Sequence, residues 1–409
     1  MSEFRSAAIV TVGSELVEGL RVDTNTAEIA RDLQRCGFRI AEAVSVGDDV
    51  SRLADVLGRL IREHGLVVTT GGLGPTHDDV TRDAAAIALG LRLVPDARLS
   101  TFLAPFAERH ADPGSAEQVL TQALVLEDAE ALSPTTGTAA GQVASTPAGQ
   151  LVLLPGPPRE MRPMLEAWLS RLPRLRSAPV ELGITGMPES DIQLAAQRAL
   201  AHHPGIELTV LSKPGDARVL LLDEGAGEAG LAAAGAAVAS EIGDACYTTT
   251  GETLAETLFR VATSSRVTIA AAESCTGGLV CAAVTDVPGA SSMFAGGVVA
   301  YANSAKSELL AVPPGLLAQY GAVSEETARA MAEGARLRLG ADIAVSTTGI
   351  AGPGGGTAEK PVGLVWFAIS SADATYATMR QFTGVDRQAV RARSTAIALD
   401  LVRREILGM

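Results

Sequence analysis

The feature that most constrains this chain is a recurring pair. A short apolar run ending in glycine is followed by a segment with helical periodicity. AAIVTVG at 7–13 precedes TNTAEIARDLQRCG at 24–37, FRIAEAVSVG precedes VSRLADVLGRLIREHG, and LVVTTGGLG at 66–74 precedes DVTRDAAAIALG. Short apolar runs closed by glycine read as strands buried on both faces. The amphipathic segments carry start and stop signals, an Asn/Thr entry at Thr24–Thr26 and Gly65 as a C-terminal stop. A βαβαβα order gives a mostly parallel sheet with helices on both faces, because crossovers of one hand bring successive strands side by side. GQLVLLPGPPREMRPMLEAWL at 149–169 adds a strand, a Pro-rich turn and a helix.

A second α/β pattern starts near Gly251. TLAETLFRVATSS reads as a helix, RVTIAAAES as a strand, CTGGLVCAAVTDV as a helix and SSMFAGGVVAYA as a strand. SEETARAMAEGARLRLG is a helix capped by Ser324, ADIAVSTTG and VGLVWFAIS are strands, and DRQAVRARSTAIALDLVRREI closes the chain as a helix. Between the two patterns, RLPRLRSAP reads as a linker. ELGIT, a helix from Glu189 to Ala201, ELTVLSKPGDARVLLLDEG and an Ala/Gly-rich helix form a small α+β unit. The expected architecture is α/β: two three-layer α/β/α domains, 1–172 and 251–409, joined by a small α+β middle domain, 173–250.

The 47% hydrophobic content excludes a disordered chain, and no run of 18 apolar residues is present to span a membrane as a helix. MSEFRSAAIVTVGSEL is too polar for a signal peptide, so a cytoplasmic protein with no membrane association is expected. The net charge of −14 sits almost wholly before residue 251: residues 251–409 hold 13 Lys and Arg against 14 Asp and Glu, the rest 20 against 33. Such a chain is a poor non-specific binder of nucleic acid. A phosphate-bearing substrate in the first domain would call for a metal ion to offset that field. Cys36, Cys246, Cys275 and Cys281 fit no zinc spacing and read as free thiols. Long apolar helices make a homodimer the expected assembly.

Within 251–409 the chemistry is constrained by scarcity. AAAESCTGG places Ser274 where a buried strand turns into a helix, beside the free N–H groups of Cys275, Thr276 and Gly277. Gly277 and Gly278 leave room for close approach. Ser274 reads as a nucleophile or as a plain N-cap. The last of five His is His203, so neither a Ser-His-Asp triad nor a His-ligated metal exists here. The available bases are Lys306, in YANSAKSE, and Lys360, in AEKPVG; a desolvated Lys can serve. Tyr301 either relays a proton or is a strand-end aromatic. Cys275 is a rival nucleophile. The glycine loop TTGIAGPGGGTAEKPVG, with Gly352, Gly354 and Gly355, could cradle a phosphate or carboxamide but lacks a Walker ending. Arg387 and Arg391 are phosphate partners or solvated surface arginines.

In the first domain, TTGGLGPTHDDVT brings Gly71, Gly72, Gly74 and Thr76 before Asp78 and Asp79. Paired carboxylates there can hold Mg²⁺, Mn²⁺ or Co²⁺ against a diphosphate, with Glu15 at another strand end joining them. The alternative is helix capping and macrodipole stabilisation. His77 is a further possible ligand.

The motifs AESCTGGL, VAYANSAKSELL, YGAVSEETARAMAEGA, TTGIAGPGGG and EKPVGLVWFAI, in this order, resemble the C-terminal domain of the CinA family and the stand-alone nicotinamide mononucleotide (NMN) deamidases. TVGSELVEG, DTNTAEIARDL, TTGGLGPTHDDVTRDA, GTAAG and LVLLPGPPREMRPM resemble that family's N-terminal molybdopterin-binding-like domain. The resemblance implies an amidohydrolase that needs no metal: Ser274 attacks the carboxamide, Lys306 takes its proton, helix-start N–H groups hold the oxyanion and Tyr301 assists. For the first domain it implies metal-dependent hydrolysis of ADP-ribose or a related dinucleotide. The chain departs from the family where an Asn-Arg-Lys-Gln-Ala run is usual, since 119–123 reads VLTQA, and where GTAPG is usual, since 137–141 reads GTAAG. A deamidase alone, with a nucleotide-binding or oligomerising first domain, is the alternative implied. A non-enzymatic competence or recombination partner is the further one.

Overall fold

A computed structural model describes residues 5–109, 111–173 and 177–409. The backbone divides into two compact units, 1–177 and 178–409. The linker reading RLPRLRSAP falls partly outside the described residues.

The first unit is built on a six-stranded sheet. Its strands are β1 (Arg5–Val12), β2 (Phe38–Val46), β3 (Leu66–Thr70), β4 (Glu130–Leu132), β5 (Gly141–Thr146) and β6 (Gly149–Leu154). Their order is β2-β1-β3-β6-β5-β4, with β2, β1, β3 and β6 parallel and β5 and β4 antiparallel. The helices α1 (Asn25–Arg35), α2 (Val50–His64), α3 (Thr81–Leu89) and α4 (Pro158–Leu169) cover it. Alternation along β1 sorts the two faces. Ala8, Val10 and Val12 join Leu53, Leu57 and Leu60 of α2 in one core, while Ala7 and Ile9 join Ile29, Leu33, Met161 and Trp168 in the other. Gly65 ends α2 in the left-handed conformation, as its sequence position requires. The antiparallel β5–β6 hairpin makes the sheet mixed. A two-stranded ribbon, Leu93–Pro95 with Leu124–Leu126, stands beside it.

The second unit holds two sheets. The first has strands β7 (Val180–Ile184), β8 (Ile206–Lys213), β9 (Asp216–Asp223) and β10 (Cys246–Thr248), in the antiparallel order β8-β9-β7-β10. Helices α5 (Glu189–Leu200) and α6 (Gly227–Ile242) pack on it through Ile192, Ala196, Leu231 and Val238. The second sheet has β11 (Ile269–Glu273), β12 (Phe294–Val299), β13 (Ile343–Gly349), β14 (Leu364–Ser370) and β15 (Thr375–Gln381). Its order is β12-β11-β13-β14-β15, the first three parallel and the last two antiparallel. Ile269 and Ala271 of β11 face a core shared with α7 (Leu254–Ser265), α8 (Leu279–Thr285) and α11 (Arg387–Leu407). Ala270 and Ala272 face the opposite core, under α9 (Asn303–Leu310) and α10 (Glu325–Leu339). The β8–β9 turn packs directly on α11: a Cβ on Gly215 would stand 2.9 Å from Ala396 Cβ. No helix among the described residues is long and apolar enough to cross a membrane.

Candidate active site

The parallel strands of the second sheet end at one edge, and β11 delivers Ser274 there. A helix beginning directly after Ser274 is expected from the sequence. The structure instead inserts a turn, with Gly277 (φ 58°) and Gly278 (φ 97°) left-handed, and α8 begins only at Leu279. Its N-cap is Gly278, so capping α8 is not the role of Ser274. The amides of Gly278, Val280 and Cys281 are taken by the Glu273 carboxylate, at 2.8, 3.1 and 2.8 Å. Gly277 N–H is also spent, on Ser274 O at 3.1 Å. Among the described residues, the amides of Cys275 and Thr276 donate to no oxygen.

Lys306 reaches Ser274 from the first half of α9. Its Nζ donates to Ser274 Oγ at 3.1 Å, to Ala300 O at 2.9 Å and to Tyr301 O at 3.2 Å. Ser274 is 9% exposed and Lys306 1%, the largest fully buried side chain among those described. Burial holds the Lys306 pKa below the usual ammonium range, and no carboxylate among the described residues pairs with it. A buried lysine with no carboxylate partner that touches a serine hydroxyl has the geometry of a general base, and burial shifts it toward the neutral form that accepts a proton. Cys275 is buried too, and that burial pushes its thiol up to about 11, so it stays protonated near neutrality.

Around this pair, α11 ties three segments together. Arg391 Nη2 donates to Thr276 O at 2.8 Å, and its buried Nε has no partner. Arg387 donates to Gly352 O at 2.8 Å and to Tyr301 Oη at 3.2 Å. Tyr301 is 61% exposed, so its ring stands at the mouth while its carbonyl holds Lys306. Gly354 and Gly355 lie in the exposed part of the glycine loop. Lys360 donates to Tyr320 O instead of approaching Ser274. The side-chain role of Glu273 was not anticipated; a carboxylate at a strand end looks the same in sequence whether it faces solvent or an amide cluster.

In the first unit, the ends of β1, β3 and β6 surround a cavity of about 380 Å³ lined by Gly71, Gly72, Gly74, Glu15, Asp78, Asp79, Asn25 and Glu160. Its glycines are required by the fold itself: a Cβ would come within 2.2 Å of Val12 O at Gly71 and 2.3 Å of Thr81 Oγ1 at Gly72. Asp79 accepts from Gly74 N at 2.7 Å, Thr76 N at 2.8 Å and Thr76 Oγ1 at 2.6 Å, bracing the turn. Neither aspartate caps α3, whose N-cap is Val80. Glu15, Asp78 and Asp79 do not converge as a set of three. Among the described residues the converging set is Glu42, Glu63 and His64, whose carboxylates are bridged by Arg59. Glu160, absent from the sequence expectations, lies 7% exposed over Gly137, its closest cation the exposed Arg159 at 3.9 Å. Gln122, from the departing VLTQA run, accepts from Thr138 Oγ1 at 3.0 Å.

Residues 251–406 match the family profile described as the CinA C-terminal domain, and 8–177 match that of a probable molybdopterin binding domain. Over its length the chain is similar to a CinA-like protein of Solibacter usitatus, 38% identical over 98% of this chain and 98% of that protein. It is 38% identical to a CinA-like protein of Thermotoga maritima over 99% of each. A putative competence-damage inducible protein of Symbiobacterium thermophilum is 39% identical over 98% of this chain and 99% of its own length. A crystal structure of a competence/damage inducible protein from Agrobacterium tumefaciens is 40% identical, covering 36% of this chain and 90% of that one with a TM-score of 0.36.

Proposed function

The chain belongs to the CinA family, and on that premise we propose that its C-terminal domain is an NMN deamidase, converting NMN and water to nicotinate mononucleotide and ammonia. The observation that carries this reading is Lys306 Nζ at 3.1 Å from Ser274 Oγ, both buried, with no carboxylate or histidine side chain among the described residues bonded to either. With Lys306 neutral, the hydroxyl proton passes to Nζ as Ser274 Oγ bonds to the carboxamide carbon. The oxyanion is met by amide donors, for which Cys275 and Thr276 have no other oxygen. Collapse breaks the C–N bond, and the proton on Lys306 leaves with ammonia. Water then repeats the sequence on the acyl-serine and releases the carboxylate. Arg387 and Arg391 supply positive charge for the NMN phosphate.

The test is ammonia release from NMN without added metal. Turnover is expected in the wild type, and none in Ser274→Ala or Lys306→Ala. A folded wild type that releases no ammonia ends this reading.

A second activity is supported by the cavity in the first unit. Its lining carboxylates, Glu15, Asp78 and Glu160, are the oxygen donors a hard divalent cation such as Mg²⁺, Mn²⁺ or Co²⁺ takes, but no three of them converge among the described residues, so the cation would need substrate oxygens to complete its shell. Asp79 fits less well, because both its oxygens already accept hydrogen bonds. The cation would neutralise diphosphate charge. Asn25 braces the pocket wall, donating to Thr70 Oγ1 at 2.9 Å and Gly156 O at 2.8 Å. The substrate class is ADP-ribose or a related dinucleotide. Metal-dependent AMP release from ADP-ribose, lost in Asp78→Asn, tests it. Binding of ADP-ribose without turnover would leave the chain a deamidase with a nucleotide-binding first domain.

A further inference from the structure

Glu273 is a fully buried carboxylate with no cationic partner among the described residues. Burying an ion costs several kcal/mol or more unless its lone pairs are filled. Here they are filled by backbone. Oε2 accepts from Gly278 N and Val280 N, and Oε1 from Cys281 N, at the positive end of α8. The Cys281 thiol, pushed up chiefly by burial and next by its hydrogen bond to this carboxylate, stays protonated as a further donor. The result is a bracket. The side chain at the end of β11 reaches across to the start of α8, and the turn it spans holds Ser274.

The main chain of the same residue fixes the base. Glu273 O accepts from Ala300 N at 2.8 Å, Ala300 O accepts from Lys306 Nζ at 2.9 Å, and that Nζ reaches Ser274 Oγ. Ser274 N–H meanwhile donates to Thr347 O at 2.9 Å. The first-turn amides of α8, which would otherwise be the obvious oxyanion donors, are consumed by this bracket.

We propose that Glu273 is a positioning residue for the nucleophile, its carboxylate holding the 274–278 turn in the one conformation that sets Ser274 Oγ on Lys306 Nζ. This rests on the reading of Ser274 as the nucleophile. Glutamine at 273 could serve the amides with one oxygen only; its NH₂ would face a donor, and the turn would relax. A shift of about 1 Å in a reacting atom costs on the order of a hundredfold in rate.

The experiment follows the labelling of Ser274 by a fluorophosphonate, read by intact mass. Ser274 Oγ bonds to phosphorus, the P–F bond breaks, fluoride departs and the hydroxyl proton goes to Lys306. Wild type is expected to take one label per chain and Ser274→Ala none. Glu273→Gln should reach the same final labelling with a rate constant lower on the order of a hundredfold. NMN turnover should fall in parallel, with KM changed less than about threefold. A merely structural role would lower the fraction labelled and leave the rate constant alone, and that result overturns the proposal. So does a Glu273→Gln rate within about threefold of wild type. Should Glu273→Gln not fold, Val280→Pro decides. It deletes one donor at a first-turn position that tolerates proline, and a loss of roughly tenfold is expected; an unchanged rate overturns the proposal. A wild type that labels at Ser274 but leaves NMN intact overturns the substrate reading alone, and the Glu273 comparison stands on labelling. A wild type that takes no label overturns both.

Discussion

At the scale of single residues, Lys306 makes the sharpest pH prediction. Desolvation favours its neutral amine, so its folded-state pKa lies below the ordinary 10.5. The neutral form is the one that accepts a proton. The kcat/KM for NMN should therefore rise about tenfold per pH unit on the acid side of that pKa and level off above it. Lys306→Arg should abolish the profile with the activity, because a guanidinium stays charged throughout. A flat wild-type profile from about pH 5 to 9 would remove Lys306 as the base. Glu160 makes the opposite kind of prediction. Burial raises its pKa above the ordinary 4.5. The folded chain then holds a proton that the unfolded chain releases, so stability falls as pH rises from about 4.5 through the folded value. In metal-free buffer, Glu160→Gln should raise Tm at pH 7 by roughly 2–4 °C, and the gain should vanish by about pH 4. A Tm difference independent of pH would contradict this. Lys306 was legible because lysine is scarce, and Ser274 because it follows an apolar strand and precedes a Gly-Gly pair. Glu273 and Glu160 were not, since the partners that define them are backbone amides and a glycine from distant positions.

At the scale of elements, the base depends on how closely two helices approach. A Cβ on Gly334 of α10 would fall 1.9 Å from Leu310 O, at the end of the helix that carries Lys306. Gly334→Ala must push α10 and α9 apart. It is expected to cost about 1–3 kcal/mol and to reduce ammonia release well beyond the loss of folded protein. Ser324→Ala, at the start of the same α10, removes a cap to Thr327 N–H and should cost about 1 kcal/mol with kcat nearly unchanged. Urea melts and rates on the two variants separate helix stability from helix placement; equal effects on kcat would refute the distinction. The α10 start was readable from Ser324, a residue whose chemistry is local. The α8 start was misplaced by several residues, because a side chain from the preceding strand competes for its amides. Residues 97–107 and 113–121 are helical and Gly141–Thr146 is an antiparallel strand, none of them read from the sequence. The apolar positions of the two helices answer to a small satellite core, whereas Val143 and Ala144 of the strand face the two main cores of the sheet.

At the scale of the whole molecule, the α/β architecture was visible in the repeated strand-then-helix pattern, whereas the packing of residues 178–250 onto the C-terminal fold was not. That packing uses groups every sequence supplies. Arg403 donates to the backbone carbonyl of Asp244 at 3.0 Å, and Gly215 meets α11 by main chain, so no motif announces it. Tyr247 adds its buried ring to the core that lies under α7 and α11. The second unit should accordingly behave as one cooperative body. Expressed alone, residues 178–409 are expected to fold and to release ammonia from NMN at the full-length kcat without metal. Residues 251–409 alone would lack the Tyr247 ring and the Asp244 carbonyl, leaving an opened core edge and a buried Arg403 guanidinium with one fewer acceptor. Their loss should cost on the order of 2–4 kcal/mol, seen as a lower Tm. The active pair itself lies entirely within 251–409, so kcat at low temperature should persist in whatever fraction stays folded. Equal melting of the two segments would mean that residues 178–250 are a passive spacer. A lost kcat in fully folded 251–409 would mean instead that they shape the Ser274 site.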